Sequence, residues 1–145
     1  MRLREIEDNF QLKIIKGNTL YWDYIDLIPE NNDIFDRLKY FSSSELPNEI
    51  HFVVFSNLKI VGVGGLEQSP YQANELWCKH VSIDIEYRNR GLAKRIIDSM
   101  YRYALEHNKV IHPSSFTEMG QSYLKHIFQQ YNKKYPQVAS GKPFS

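Results

Sequence analysis

The chain has one cysteine, Cys78, in 145 residues. An internal disulfide is excluded, and with no CxxC or Cys/His spacing there is no sign of a structural zinc. No run of about eighteen apolar residues occurs, so no membrane span is expected. The polar, charged opening MRLREIEDNF is unlike a signal peptide, which makes the cytoplasm the expected location. An excess of one charge is also lacking: eighteen Lys and Arg stand against seventeen Asp and Glu, for a formal net charge of +1. A surface that coats nucleic acid is therefore disfavoured, and any anion site must be local. There is no GxxxxGK[ST] loop, no GxGxxG fingerprint, no internal repeat and no low-complexity linker. His107 and His112 read as partly exposed polar residues, and no metal site is expected.

What is present fits one domain over residues 1–145, with 42% hydrophobic residues and a length that buries roughly two thirds of the unfolded surface. NFQLKIIKG alternates Phe10, Leu12 and Ile14 with polar partners and predicts a first strand. Trp22, Ile25, Ile28, Ile34, Leu38 and Phe41 predict two short helices, broken near Pro29. EIHFVVFSNLKIVGVGGLEQ reads as an antiparallel hairpin turning at SNLK, and its GVGG, residues 62–65, as a bulge or close packing inside a strand. A third run, NELWCKHVSIDI, follows. From Leu92 the apolar positions Ile96, Met100 and Tyr103, flanked by Ala93, Ile97 and Ala104, keep a 3.6-residue period. HNKVIHPS predicts one more strand, reached by a crossover. Ser115-x-x-Glu118 is a capping box opening a last helix through Tyr123, Ile127 and Tyr131, stopped by Pro136.

The expected fold is α+β: a mixed, mostly antiparallel sheet with helices on both faces. It should splay at the strand before residues 86–91, where hairpins give way to a crossover and ligands find crevices. The chemistry concentrates in IDIEYRNRGLAKRII, residues 83–97, where no carboxylate follows Glu86 until Asp98. A strand ending at Ile85, a basic turn and a helix starting at Gly91 aim unsatisfied backbone N–H groups at one point, which calls for an anion. Gly91 lets the backbone approach closely, Ala93 keeps the first turn slim, and Arg88 and Arg90 add charge-assisted hydrogen bonds.

Arg88-Asn89-Arg90-Gly91-Leu92-Ala93 resembles the Gln/Arg-x-x-Gly-x-Gly/Ala signature of the GNAT superfamily of acetyl-CoA-dependent N-acetyltransferases. IDIEYR is similar to the family's V-D-P-E-Y-R, and the order of elements matches from about residue 9 to residue 135. The resemblance implies that the anion is the pyrophosphate of coenzyme A, held by Arg88, Arg90, Gly91, Leu92, Ala93 and Lys94. The pantothenate arm would pair with the backbone of Ile83 and Ile85, whose side chains would be core. A strand N–H near Val81 to Ile83 would polarise the thioester, and Tyr123 would protonate the leaving thiolate. The family's own tyrosine position falls one residue further on, at Leu124, and Tyr123 fits a core-facing aromatic equally well.

For the base, the resemblance points to Glu75, whose parity along the strand matches Val81 and Ile83. It could equally be a solvated residue at the strand end. His80 and Cys78 have the opposite parity, so only a bulge would bring His80 round, and a covalent cysteine route has no basis. The family usually adds two strands beyond its last helix where here only QVASGKPFS follows Pro136, so a second copy of the chain could complete the acceptor wall as a homodimer. The acceptor would be a small-molecule or peptide amine, with the aromatics of LYWDYIDLI hinting at an apolar one. The alternatives are a non-catalytic acyl-CoA sensor and, less favoured by the net charge, a nucleic-acid binder.

Overall fold

The computed structural model describes residues 9–16, 49–113 and 118–139. The two helices expected between Thr19 and Phe41, the acceptor aromatics among them and the cap at Ser115 lie outside the described residues. Within them, five strands form one sheet: β1 (Phe10–Lys16), β2 (Glu49–Ser56), β3 (Lys59–Gln68), β4 (Glu75–Ile83) and β5 (Val110–Pro113). They lie in chain order; the first four are antiparallel neighbours and β5 runs parallel to β4. Two helices follow the expected positions, α1 (Leu92–Glu106) between β4 and β5, and α2 (Glu118–Lys134) after β5.

One apolar cluster joins sheet and helices. Phe52, Val54, Leu66, Leu76 and Cys78 meet Leu92, Ile96, Ile97, Met100 and Tyr101 of α1, and Leu124, Ile127, Phe128 and Tyr131 of α2. The glycines of β3 set how closely α1 can lie. A Cβ on Gly64 would sit 2.5 Å from Ile96 Cγ2 and 2.6 Å from Met100 Cε, so two bulky helix residues occupy the space that a side chain would need. Close packing, one of the two readings of GVGG, is thus found at Gly64. Tyr101 spans the two helices, its phenol donating to Asn132 Oδ1 at 2.5 Å.

Two expectations on side-chain direction fail. Ile14, expected inward with Phe10 and Leu12, is 45% exposed, while Ile15 on the opposite face of β1 is buried. The strand before the basic turn ends at Ile83 rather than Ile85. Buried Asp84 ends it: its Oδ1 accepts from the Glu86 N–H at 3.1 Å and its carbonyl from the Tyr87 N–H at 2.8 Å, winding Ile85–Tyr87 into a single tight helical turn. The Ile85 side chain, expected in the core, is 72% exposed.

Burial also sets the acid–base behaviour of this core. It pushes the Cys78 thiol from 9.0 up to about 12, and burial followed by the neighbouring Asp98 pushes the Tyr131 phenol from 10.0 up to about 12. Tyr101 is raised by burial as well.

Two outcomes are expected. Gly64→Ala should destabilise the fold by about 1–3 kcal/mol through overpacking, read from the urea midpoint. Gly62→Ala should cost less, because its Cβ meets the terminal methyl of half-buried Ile83 at 2.9 Å. Well below pH 9 the thiol and phenols are protonated both folded and unfolded. Between 9.0 for the unfolded thiol and about 12 for the folded one, the unfolded chain releases protons that the folded chain keeps. Stability should therefore fall as pH rises across that window, seen as a lower urea midpoint at pH 10.5 than at pH 8.

Candidate active site

Strand β4 changes character halfway along. Leu66 pairs with Cys78 and Gly65 with His80, so Lys79 is an extra residue, a β-bulge. At the same place β4 loses a neighbour, because β5 pairs with it only from Glu75 to Cys78. Beyond Cys78 the strand's ladder partner among the described residues is β3.

The open edge can be read residue by residue. The Asp84 N–H donates to the Val61 carbonyl at 2.9 Å, which makes that pair a hydrogen-bonded one. Antiparallel pairs alternate, so the Ser82–Val63 pair faces β3 too, while the N–H and C=O of Val81 and Ile83 turn to the open side. There the Ile83 carbonyl accepts from Arg88 Nε at 3.1 Å. This edge leads directly into the basic turn. Asn89 and Gly91 both take left-handed backbone conformations, with φ of 64° and 76°, and they swing the chain into α1. The first helical bond is Arg95 N–H to the Gly91 carbonyl at 3.1 Å.

The start of α1 has no side-chain cap and no acidic residue in its first turn. The amides of Leu92, Ala93 and Lys94 precede the first intrahelical donor and face outward at the positive end of the helix dipole. Leu92 and Ala93 bury their side chains, so only their backbones are available to a ligand, whereas Lys94 is exposed. A Cβ built on Gly91 would meet nothing within 4 Å, so there is open space above it. The Arg90 guanidinium is 5.2 Å from the Tyr87 ring centroid, positioned by a cation–π contact. A shallow groove of about 400 Å³ continues from Gly91 along α1, with Lys94, Arg95 and Arg102 on its walls.

The structure therefore puts Gly91, Leu92, Ala93 and Lys94 at the open start of α1, Arg88 and Arg90 in the turn before it, held against the Ile83 carbonyl and the Tyr87 ring, and Ile83 on the adjoining edge. It leaves Ile85 in the exposed turn. Tyr123 lies on α2 and is 57% exposed, so it is not a core aromatic; its neighbour Leu124 fills the core position. Glu75 is buried, with its Oε1 accepting from the Trp77 indole N–H at 2.8 Å, so the solvated strand-end reading does not hold. It stands roughly 20 Å of extended strand from Val81.

The bulge also overturns the parity expected of β4. Glu75, Trp77 and His80 share the face away from α1, and Val81 and Ile83 are on the other. Its signal was in the sequence: the inward positions Leu76, Cys78, Val81 and Ile83 skip one residue between Cys78 and Val81. Cys78 faces the core beneath α1 and α2, where burial keeps it a thiol. Sequence reasoning also passed over Glu49 and His51 of β2, both buried on the same face as His80. Among the described residues no group of three or more His, Cys, Asp or Glu is arranged to hold a metal ion, and no helix is long and apolar enough to cross a membrane.

A strand edge freed at a bulge thus runs straight into an uncapped, basic helix start. The sequence model of the Acetyltransferase (GNAT) family matches residues 17–119. The chain belongs to that family. No curated protein sequence matches it. Among solved structures, an aminoglycoside acetyltransferase from an uncultured soil metagenomic sample, with trehalose, is similar at TM-score 0.58 and 17% identity, over 88% of this chain and 90% of that one. A diaminobutyrate acetyltransferase from Paenibacillus lautus, with L-2,4-diaminobutyric acid and coenzyme A, gives 0.55 and 13% over 87% and 77%. A ribosomal-protein alanine N-acetyltransferase from Escherichia coli gives 0.60 and 11% over 84% and 76%.

Gly91→Glu should place a carboxylate in the open space above the helix start and abolish the heat of coenzyme A binding in calorimetry. Gly91→Asn, which tolerates the left-handed backbone, should keep the stability of the wild type to within about 1 kcal/mol and so separate loss of binding from loss of fold.

Proposed function

We propose that this chain transfers an acetyl group from acetyl-CoA to a primary amine of a small molecule or peptide, by direct attack without an acyl-enzyme. The observation that carries this reading is the open edge of β4 at Val81 and Ile83, continuous with the amide cluster that opens α1. Acetyl-CoA, when bound, supplies an activated thioester carbonyl.

The chain's own residues divide the remaining work. The amides of Gly91, Leu92, Ala93 and Lys94, with the guanidiniums of Arg88 and Arg90, bind the diphosphate. The backbone groups of Val81 and Ile83 take the pantothenate arm as a strand takes a partner. Ile85 has left the strand, so its expected share of that pairing passes to Val81. The Val81 N–H, already oriented by the β3 ladder, is the donor for the developing oxyanion. Tyr123, exposed on α2, returns a proton to the departing sulfur. Cys78 takes no part, being walled off beneath the helices. The reading sets the enzyme in the cytoplasm, where a lone thiol stays reduced.

Calorimetry with coenzyme A, followed by a thiol-release assay with acetyl-CoA, tests this. The amine panel is L-2,4-diaminobutyrate, sisomicin, spermidine and an alanine-leading tetrapeptide; the first two are named with structural neighbours. Binding and release of thiol by at least one amine are expected. Binding without release across the panel would leave an acyl-CoA sensor, and absence of heat would remove the donor site.

A further inference from the structure

The sheet face turned away from α1 carries a buried polar row. His51 of β2 is opposite Gly65 of β3, and Gly65 is opposite His80 of β4. Glu49 lies on the same face, with its Oε2 3.4 Å from His51 Nε2. Gly65 has no side chain, and a Cβ there would come within 2.5 Å of His80 Nε2, so the His80 imidazole lies across the glycine. The two imidazole centroids are 6.5 Å apart, which brings their ring nitrogens no closer than about 4 Å, a span that one water can bridge.

This arrangement has an energetic cost that packing does not require. Glu49, His51 and His80 are 4%, 1% and 5% exposed. Glu49 Oε1 and His51 Nδ1 have no hydrogen-bond partner among the described residues, and buried polar atoms in that state are destabilising. On the α1 side the same strands bury Phe52, Val54 and Leu66 instead.

The row's position suggests its use. His80 directly follows the bulge residue Lys79, at the point where β5 leaves β4, and it adjoins Val81 on the open edge. Ile96 and Met100 of α1 occupy the other face over Gly62 and Gly64, so His80 is the imidazole of β4 next to the open edge on the face turned away from α1. We propose that His80 is the general base of the transfer, with Glu49 and His51 as positioning residues that stabilise the imidazolium formed.

The proposal rests on the acetyltransfer reading and replaces Glu75 in the base role. In the step, the amine nitrogen bonds to the thioester carbon and the C–S bond breaks. The nitrogen's proton passes to His80 and a proton from Tyr123 or solvent neutralises the thiolate, so each proton lost by nitrogen is balanced by one gained at sulfur. Among the described residues, the other titratable groups on this face include Glu67, ion-paired to Lys79 at 3.8 Å, Glu75, His112 of β5, and Lys13 of β1, whose ammonium lies over the Phe55 ring.

The test uses the panel amine with the highest rate. His80→Gln should lower kcat about 100-fold or more, leave KM for acetyl-CoA within twofold, and remove the acidic limb of the kcat/KM profile. Glu49→Gln, which removes the anion favouring the imidazolium, should move that limb to lower pH. A His80→Gln enzyme with wild-type kcat and an unchanged limb would overturn the proposal while the acetyltransfer reading stands. Should His80→Gln fail to bind acetyl-CoA, the Glu49→Gln limb decides, and an unmoved limb overturns the assignment. A wild-type protein that binds coenzyme A yet releases thiol with no amine overturns the parent reading and this one with it.

Discussion

Everything at the candidate site depends on the parting of two strands. β5 accompanies β4 only as far as Cys78, and the backbone beyond it has hydrogen-bonding groups with nothing of the sheet to satisfy them. A free edge of this kind is ordinarily blunted or covered, because it invites pairing with another chain. Here the edge is short, ends in a tight turn fixed by Asp84, and is followed at once by a helix start that lacks a cap. Two sets of backbone donors without a partner among the described strands and helices, one along a strand and one at a helix end, are thereby set next to each other, which is what the proposed donor site uses.

The bulge at Lys79 and the departure of β5 coincide, and the bulge has its own effect on the chemistry. It turns Val81 and Ile83 toward α1 and sends His80 to the opposite face, so the strand serves the apolar core on one side and carries the proposed base on the other. Glycines make this geometry possible where side chains would obstruct it. Gly64 admits α1, Gly65 admits the His80 ring, and Gly91 leaves the anion site open.

The elements that announce themselves by local repetition were legible in the sequence. The period of α1, the β2–β3 hairpin, the crossover to β5 and the basic turn with its glycine all follow from residues close together in the chain, and the structure has each of them. What local patterns could not give were directions that depend on a neighbour. Ile85 looks like a strand residue until Asp84 caps the turn. Tyr123 and Leu124 fit a helical stripe equally, and only packing against α1 decides that leucine goes in and tyrosine out. Strict alternation carried past Lys79 gave Glu75 the wrong face, although the shifted apolar spacing records the bulge. Glu49, His51 and His80 are far apart in the chain, and lateral register across three strands is what brings them together.

Gly64 and Gly65 stand back to back on β3, one beneath the helix that begins at the anion site and the other beneath the imidazole. At that point β3 contributes only its backbone, with Ile96 and Met100 lying against one surface and the His80 ring against the other. Bulk added at either residue would therefore press on the helix from one side or on the ring from the other, which makes the pair a thin partition between the two surfaces.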